Sequence, residues 1–321
     1  MGSSQRTKDQ HFIPRGYLRL FSRDEKTIWV YDKVTGEVRP QSIKATGFIK
    51  NFYLSWIHPS PLDVSPVPEL EGKARSIIKK IDLRAEPSPE ELGVVLNFIS
   101  LQFLRTPASK RRAEAVLNLF WTELRTRYRA ATPNQTGLIR KAEEIARSYI
   151  NEQKLSGITP KELLTSDLTL VPSNDWFVSS IAMHGLKVAQ LLAEQGWEFL
   201  FAEGEEFATS DDPVSLFHPE EKMKERKNLP ILAEDSIKLV PLTERVALSI
   251  GGPKRVNVRH LPAWSVQILN LSMASHAERY VYASNEKSLK YIKETLSEFE
   301  KDPIVFTELK RTSDSEASER A

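Results

Sequence analysis

From residue 69 to residue 194 the chain is patterned as helix, and on either side of that block it is patterned as strand. Strands first, then a long run of helices, then strands again with two more helices predicts an α+β fold rather than a doubly wound sheet. The expected architecture is a mixed or antiparallel sheet built from an N-terminal hairpin and C-terminal strands, with a large central helical block inserted between them. Residues 10–283 read as one domain: strand-rich over 27–56, helical over 69–194, and strand-rich with a helix over 197–283. A C-terminal helix and strand follow in 284–306. The polar ends, 1–9 and 308–321, read as flexible tails.

Local signals place the elements. Thr27–Val38 (TIWVYDKVTGEV) is a hairpin turning at Asp32–Gly36. Ala45–Trp56 predicts a further strand, and the prolines at 59, 61, 66 and 68 an exposed linker. Glu69–Ile81 is amphipathic. Ser88-Pro89-Glu90-Glu91 is a helix start, with an N-cap hydroxyl, proline in the first turn and acids over the helix N-terminus. That helix runs to Thr106, where Pro107 breaks or kinks it. Further helices are predicted at 108–128, 134–153 and, capped by Ser173-Asn174-Asp175, on to Glu194. Strands are predicted at 197–203, 205–210, 235–240, 245–250 and 279–283, helices at 261–276 and 286–300, and a last strand at 303–306.

Composition removes several chemistries. The chain has 321 residues and no cysteine, which excludes disulfides, zinc–thiolate sites, iron–sulfur clusters and a cysteine nucleophile. No HExxH, Walker A, GxGxxG or GxSxG sequence occurs, and none of the six histidines pairs with another at ligand spacing. The N-terminus lacks the apolar core of a signal peptide. The longest apolar run, Leu92–Leu104, is broken by Asn97, Ser100 and Gln102 and is too short to span a bilayer. These features predict a soluble cytoplasmic protein without a membrane partner.

Charge is unevenly spread although the net is only +2. Residues 105–129 carry seven bases against two acids; residues 194–235 carry twelve acids against four bases. A basic stretch of this kind is either a solvated helix face or a groove for a nucleic acid or nucleotide.

Three polar blocks lie in otherwise apolar settings. In the first, Gln10–Phe21, His11 can transfer protons near neutral pH and Arg15 can hold a carboxylate or phosphate in a bidentate grip; a capped lead-in segment is the plainer reading. In the second, Gln102 and Arg105 share one face of a helix that is apolar nearly all round. Arg105 then needs a buried partner, as a structural ion pair or as a ligand clamp. In the third, Phe207–Val214, a strand ends on Thr209, Ser210, Asp211 and Asp212 before Pro213. The adjacent aspartates face opposite ways in a strand, so one is expected to meet Arg105 or Arg15 and the other solvent or ligand. A carboxylate-bound Mg²⁺ near Asp211 is left open. Asn270 and Arg279 are weaker candidates with structural duties.

These blocks, QHFIPRGYL, IWVYDKVTGEV, LQFLRTP, FATSDDPV, PLTERVALSI and LNLSMASHAERYVYA, together resemble the family called domain of unknown function 4238, in the same order and over most of residues 10–283. The resemblance implies shared architecture and shared polar positions: His11, Pro14, Arg15, Tyr17, Gln102, Arg105, Ser210, Asp211 and Pro213. Gly16 departs from the bulkier residue usual there. No reaction comes with the family. Two functions fit the residues. One is a hydrolase for a phosphodiester or nucleotide, with His11 and Asp211 catalytic and Arg15, Tyr17, Gln102, Arg105, Ser210 and Asp212 holding substrate. The other is a binding or sensor module in which the same groups form a structural network.

Overall fold

The computed structural model of the chain describes residues 9–50, 52, 67–217, 236–251 and 256–303. In chain order the elements are β1 (Asp9–His11), α1 (Arg15–Leu18), β2 (Thr27–Asp32), β3 (Glu37–Ser42), β4 (Phe48–Lys50), α2 (Val67–Asp82), α3 (Pro89–Leu104), α4 (Pro107–Ala130), α5 (Thr136–Glu152), α6 (Pro160–Thr165) and α7 (Asn174–Ala193). They continue with β5 (Trp197–Ala202), β6 (Thr209–Ser210), β7 (Ser215–Phe217), β8 (Ile237–Pro241), β9 (Val246–Ile250), β10 (Val256–Leu261), α8 (Ala263–His276), β11 (Tyr280–Ala283) and α9 (Glu286–Lys301).

The fold is α+β. One sheet, ordered β3-β2-β11-β6, is antiparallel and joins the N-terminal hairpin to the C-terminal strand β11. The second, β10-β5-β9-β8-β7, is mixed, because β10 runs parallel to β5. The N-terminal and C-terminal strands therefore share a sheet across the intervening helices. β1 and β4 form a separate antiparallel ribbon, with His11 opposite Phe48.

Alternation sorts the central strands of the five-stranded sheet onto two cores. Phe199 and Phe201 of β5, with Val246, Leu248 and Ile250 of β9, pack toward Val95 and Ile99 of α3 and Ile181 of α7. Leu200, Leu239 and Ala247 face the other way, onto Val266 of α8. A further core lies between the four-stranded sheet and helices α8 and α9. Helices α4, α5 and α6 close around their own cluster, centred on Trp121, Ala146 and Leu163. Each fully buried valine, leucine, isoleucine or phenylalanine among them is worth about 1.5–3 kcal/mol. Helices α3 and α7 approach closely at Gly185: a β-carbon there would meet Leu101 at 3.2 Å, and Ser100 Oγ donates to the Gly185 carbonyl at 2.8 Å.

The helix boundaries follow from their caps. Ser88 Oγ accepts from Glu91 N (3.2 Å) while Glu91 Oε2 accepts from Ser88 N (3.0 Å), a reciprocal cap that starts α3. Thr106 and Pro107 end α3 and begin α4, so the sequence's Pro107 break is a true change of helix. Ser173 caps α7, as its sequence indicates. Helix α6 and strands β7 and β10 are additions to the sequence reading. The strand expected at 205–210 is reduced to Thr209–Ser210. The reason is hydrogen bonding: Phe207 N donates to the Glu244 carbonyl (2.8 Å) and Ala208 N to Asn270 Oδ1 (2.8 Å), which takes both donors out of any ladder. The proline-rich linker at 58–66, residues 304–306 of the strand expected at 303–306, and the tails at 1–8 and 308–321 lie outside the described residues, while Asp9 belongs to β1 rather than to a tail. No helix among the described residues is long and apolar enough to cross a membrane.

Candidate functional site

The two residues between α3 and α4 set up the site. Arg105, buried at the end of α3, donates Nε to Gln102 Oε1 at 2.7 Å and Nη1 to Glu71 Oε1 of α2 at 2.6 Å. These contacts staple α2 to α3. Thr106 caps α4, its Oγ1 accepting from Ser109 N at 3.1 Å, and the same hydroxyl donates to Asp212 Oδ1 at 3.1 Å. The LQFLRTP and FATSDDPV blocks therefore meet, through the threonine that follows Arg105.

The N-terminal block meets the same loop. Tyr17 Oη lies 2.9 Å from Thr209 Oγ1 and donates to the Pro241 carbonyl at 2.6 Å, while its ring packs edge-on to Phe21 and against Phe98 of α3. Burial pushes the Tyr17 phenol well above its ordinary pKa, so it remains a neutral donor. Three segments far apart in sequence converge as their polar residues suggest, but Tyr17–Thr209 and Thr106–Asp212 hydrogen bonds make the joints.

Asp212 is the centre of the convergence. Its side chain is 1% exposed, accepts from Arg112 Nη1 at 2.6 Å, Arg112 Nη2 at 3.2 Å and Thr106 Oγ1, and lies 2.8 Å from His276 Nε2. Desolvation alone would raise its pKa; the charges of His276 and Arg112 outweigh that and hold the carboxyl far below the usual range. His276 is the last residue of α8 and is equally buried, at a helix C-terminus that favours a cation, while Asp212 sits by the N-terminus of α4, which favours an anion. Ser210 Oγ holds the loop by bonding the N–H (3.2 Å) and carbonyl (2.9 Å) of Asp212.

Asp211 has a different task. Its Oδ1 accepts from Glu278 N (2.9 Å), and its Oδ2 from Arg279 N (2.8 Å) and Tyr280 N (2.9 Å). It pins the turn that leads from α8 into β11. Burial raises its pKa from 3.8 to about 6, against the pull of those backbone donors and with a smaller push from Asp212. Lys33 holds the same turn from the hairpin, donating to the carbonyls of Ala274 (2.6 Å) and Ala277 (3.0 Å). Asp32 grips the Arg279 guanidinium, with Nη2 to Oδ2 at 2.7 Å. Asn270 ties Glu206 and Ala208 to α8.

A cavity of about 240 Å³ opens on this cluster, lined by Ala108, Arg111, Arg112, Ala115, Asp212, His276 and Glu278. Arg111 forms an ion pair with Glu278 at its edge. Of the residues singled out in the sequence, Asp212 is the one in this lining. Arg15 is exposed at the start of α1, and His11 lies in the β1–β4 ribbon with its ring 5.5 Å from that of Phe48. The sequence reading missed His276, Arg112 and Thr106. The available signal for His276 was a titratable residue closing a helix of buried Ile268, Leu271, Met273 and Ala274.

Each base of the stretch has a partner within the protein. Beyond Arg105, Arg111 and Arg112, Lys110 donates to Asn174 Oδ1 (2.7 Å), Arg125 to the carbonyls of Leu163 (3.0 Å) and Leu168 (2.7 Å), Arg127 to Glu123 (2.6 Å) and Arg129 to Asp167 (2.6 Å). Apart from the Arg127–Glu123 pair within α4, these bases of α4 tie it to neighbouring segments. Among the described residues no group of three or more His, Asp or Glu side chains is arranged to hold a metal ion. Gly16 imposes no special backbone, and a β-carbon there would meet Arg75 at an ordinary 3.7 Å.

The family described as "Protein of unknown function (DUF4238)" matches the chain over residues 9–287. No curated protein and no solved structure matches it.

Proposed function

Since the chain belongs to that family, which brings no reaction with it, we propose from the site alone that the cavity beside Asp212 binds a phosphate ester of nucleotide type and hydrolyses it. The carrying observation is the buried His276–Asp212 pair, with a nitrogen–oxygen separation of 2.8 Å, opening onto a cavity that also presents two guanidiniums. His276 transfers the proton, as general acid or base, with Asp212 fixing the ring. Arg112 is committed to Asp212 and supplies a fixed positive charge. Arg111, on the exposed rim, is the group that can grip phosphate oxygens and stabilise charge as it builds up. This keeps the His/Arg/Asp chemistry anticipated from the sequence and moves the proton-transfer role from His11 to His276. Asp211 becomes the residue that positions Glu278 and the turn after His276.

A second reading has its own support. Both Asp212 oxygens are already occupied by Thr106, Arg112 and His276, which is what a purely structural clasp requires. A single comparison separates the two. Wild type, His276→Asn and Arg111→Gln are assayed on adenosine 5′-monophosphate, a cyclic nucleotide, RNA and DNA, with and without Mg²⁺, and each is melted. The hydrolase reading expects turnover by wild type and a loss of about 10²-fold or more in His276→Asn at temperatures where the variant's melt shows it folded. A folded wild type that turns over none of these substrates overturns it, and a large melting shift without a catalytic phenotype supports the clasp.

A further inference from the structure

Both guanidiniums in the cavity carry carboxylates, but the two carboxylates are held very differently. Asp212 is 1% exposed and fixed from three directions, so it cannot leave Arg112. Glu278 has its backbone N–H on Asp211 Oδ1 at 2.9 Å, and its carboxylate meets Arg111 at the edge of the cavity. Its side chain is 38% exposed and its partner Arg111 is 55% exposed. The turn beneath it is rigid, clamped by Asp211 from one side and by Lys33 from the other. Glu278 is thus a carboxylate on a flexible stem over a fixed base, able to swing to solvent while its main chain stays in place.

We propose that Glu278 is a built-in competitor for the anion subsite, occupying Arg111 until a ligand phosphate displaces it. The inference rests on the phosphate reading above and adds to it a specificity-determining residue. An uncharged ligand cannot displace Glu278 from a guanidinium, and a carboxylate ligand gains nothing over it. A terminal phosphate, with two charges and three acceptor oxygens, gains on both counts. Glu278 therefore sets a threshold that favours terminal phosphates.

The test is a double-mutant cycle read by calorimetric titration of adenosine 5′-monophosphate into wild type, Glu278→Gln, Arg111→Gln and the double variant. Glu286→Gln serves as a control that changes net charge equally at a surface pair with Lys290. Removing a partly exposed competitor should tighten binding in Glu278→Gln by about threefold to fivefold. Glu286→Gln should leave it unchanged, and the gain should vanish in the Arg111→Gln background. Equal tightening with or without Arg111 marks general charge repulsion and overturns the proposal, as does an unchanged or weakened Glu278→Gln. In both cases the phosphate reading stands, because wild type binds. No binding by wild type or Glu278→Gln overturns both.

Discussion

Replacing Asp212 by alanine removes the one anion that Arg112, His276 and the Thr106 hydroxyl share. Breaking one partner out of a buried ion pair costs about 3–5 kcal/mol, mostly because the remaining charge is left stranded. One feature of the site places this case at the lower end. The Arg112 side chain is 20% exposed and already lies over the Phe103 ring at 4.8 Å, so part of its charge can turn to water. We expect Asp212→Ala to lose about 3 kcal/mol. Asp212→Asn, which keeps an acceptor for Thr106, should lose about 2 kcal/mol, in the range for a hydrogen bond to a charged group. Equilibrium unfolding in guanidinium chloride at pH 7, followed by tryptophan fluorescence and by far-ultraviolet circular dichroism, gives both values if the transitions coincide. A loss below about 1 kcal/mol for Asp212→Ala would mean that the cluster behaves like a solvated surface pair, and would refute the reasoning.

Tyr17→Phe deletes the hydroxyl that bridges Thr209 and Pro241 while keeping the ring against Phe98. It should cost about 1–2 kcal/mol in the same denaturation, and a neutral result would deny that this joint holds the N-terminal block. Asp211 gives a pH signature of unusual sign. With its folded pKa raised to about 6 from 3.8, the folded protein keeps a proton that the unfolded chain has lost between those values, so stability falls as pH rises through that window. At about 1.4 kcal/mol per unit the loss is about 3 kcal/mol. Urea midpoints at pH 4 and pH 6.5 should fall for wild type relative to Asp211→Asn, and parallel profiles would contradict the assignment.

How much of this was legible in the sequence depended on whether the signal was local. The reciprocal cap at Ser88 and Glu91, the Thr106-Pro107 junction and the Ser173 cap are short-range chemistry, and the structure places those helices within a few residues of the expectation. The shared sheet of hairpin and C-terminal strand was also within reach, because both ends of the helical block read as strand. Helix α6 carries a Thr159–Glu162 capping box, but its six residues give too little periodicity to register. Strand β10 has exposed valines at 256 and 258 and lacks the alternation that marks a half-buried strand.

For the site, the sequence pointed to the right segments more reliably than to the right atoms. Spacing showed that Arg105 shares a helical face with Gln102, and the two are bonded. It could not show that Glu71 would supply the counter-charge, or that Asp212 would be matched by Arg112 and by a histidine far along the chain. Such pairings depend on how α4 and α8 pack, and no local pattern encodes that.

The central claim, that the cavity beside Asp212 is where this protein meets a phosphate ligand, is most directly tested by the imidazole nitrogen resonances of His276 in ¹⁵N-histidine-labelled protein, assigned with His276→Asn, during titration with adenosine 5′-monophosphate. The account predicts a saturable shift of the His276 nitrogens with those of His11 and His260 unmoved. Saturable shifts at His11 with His276 silent, or no shift at any histidine, would contradict it.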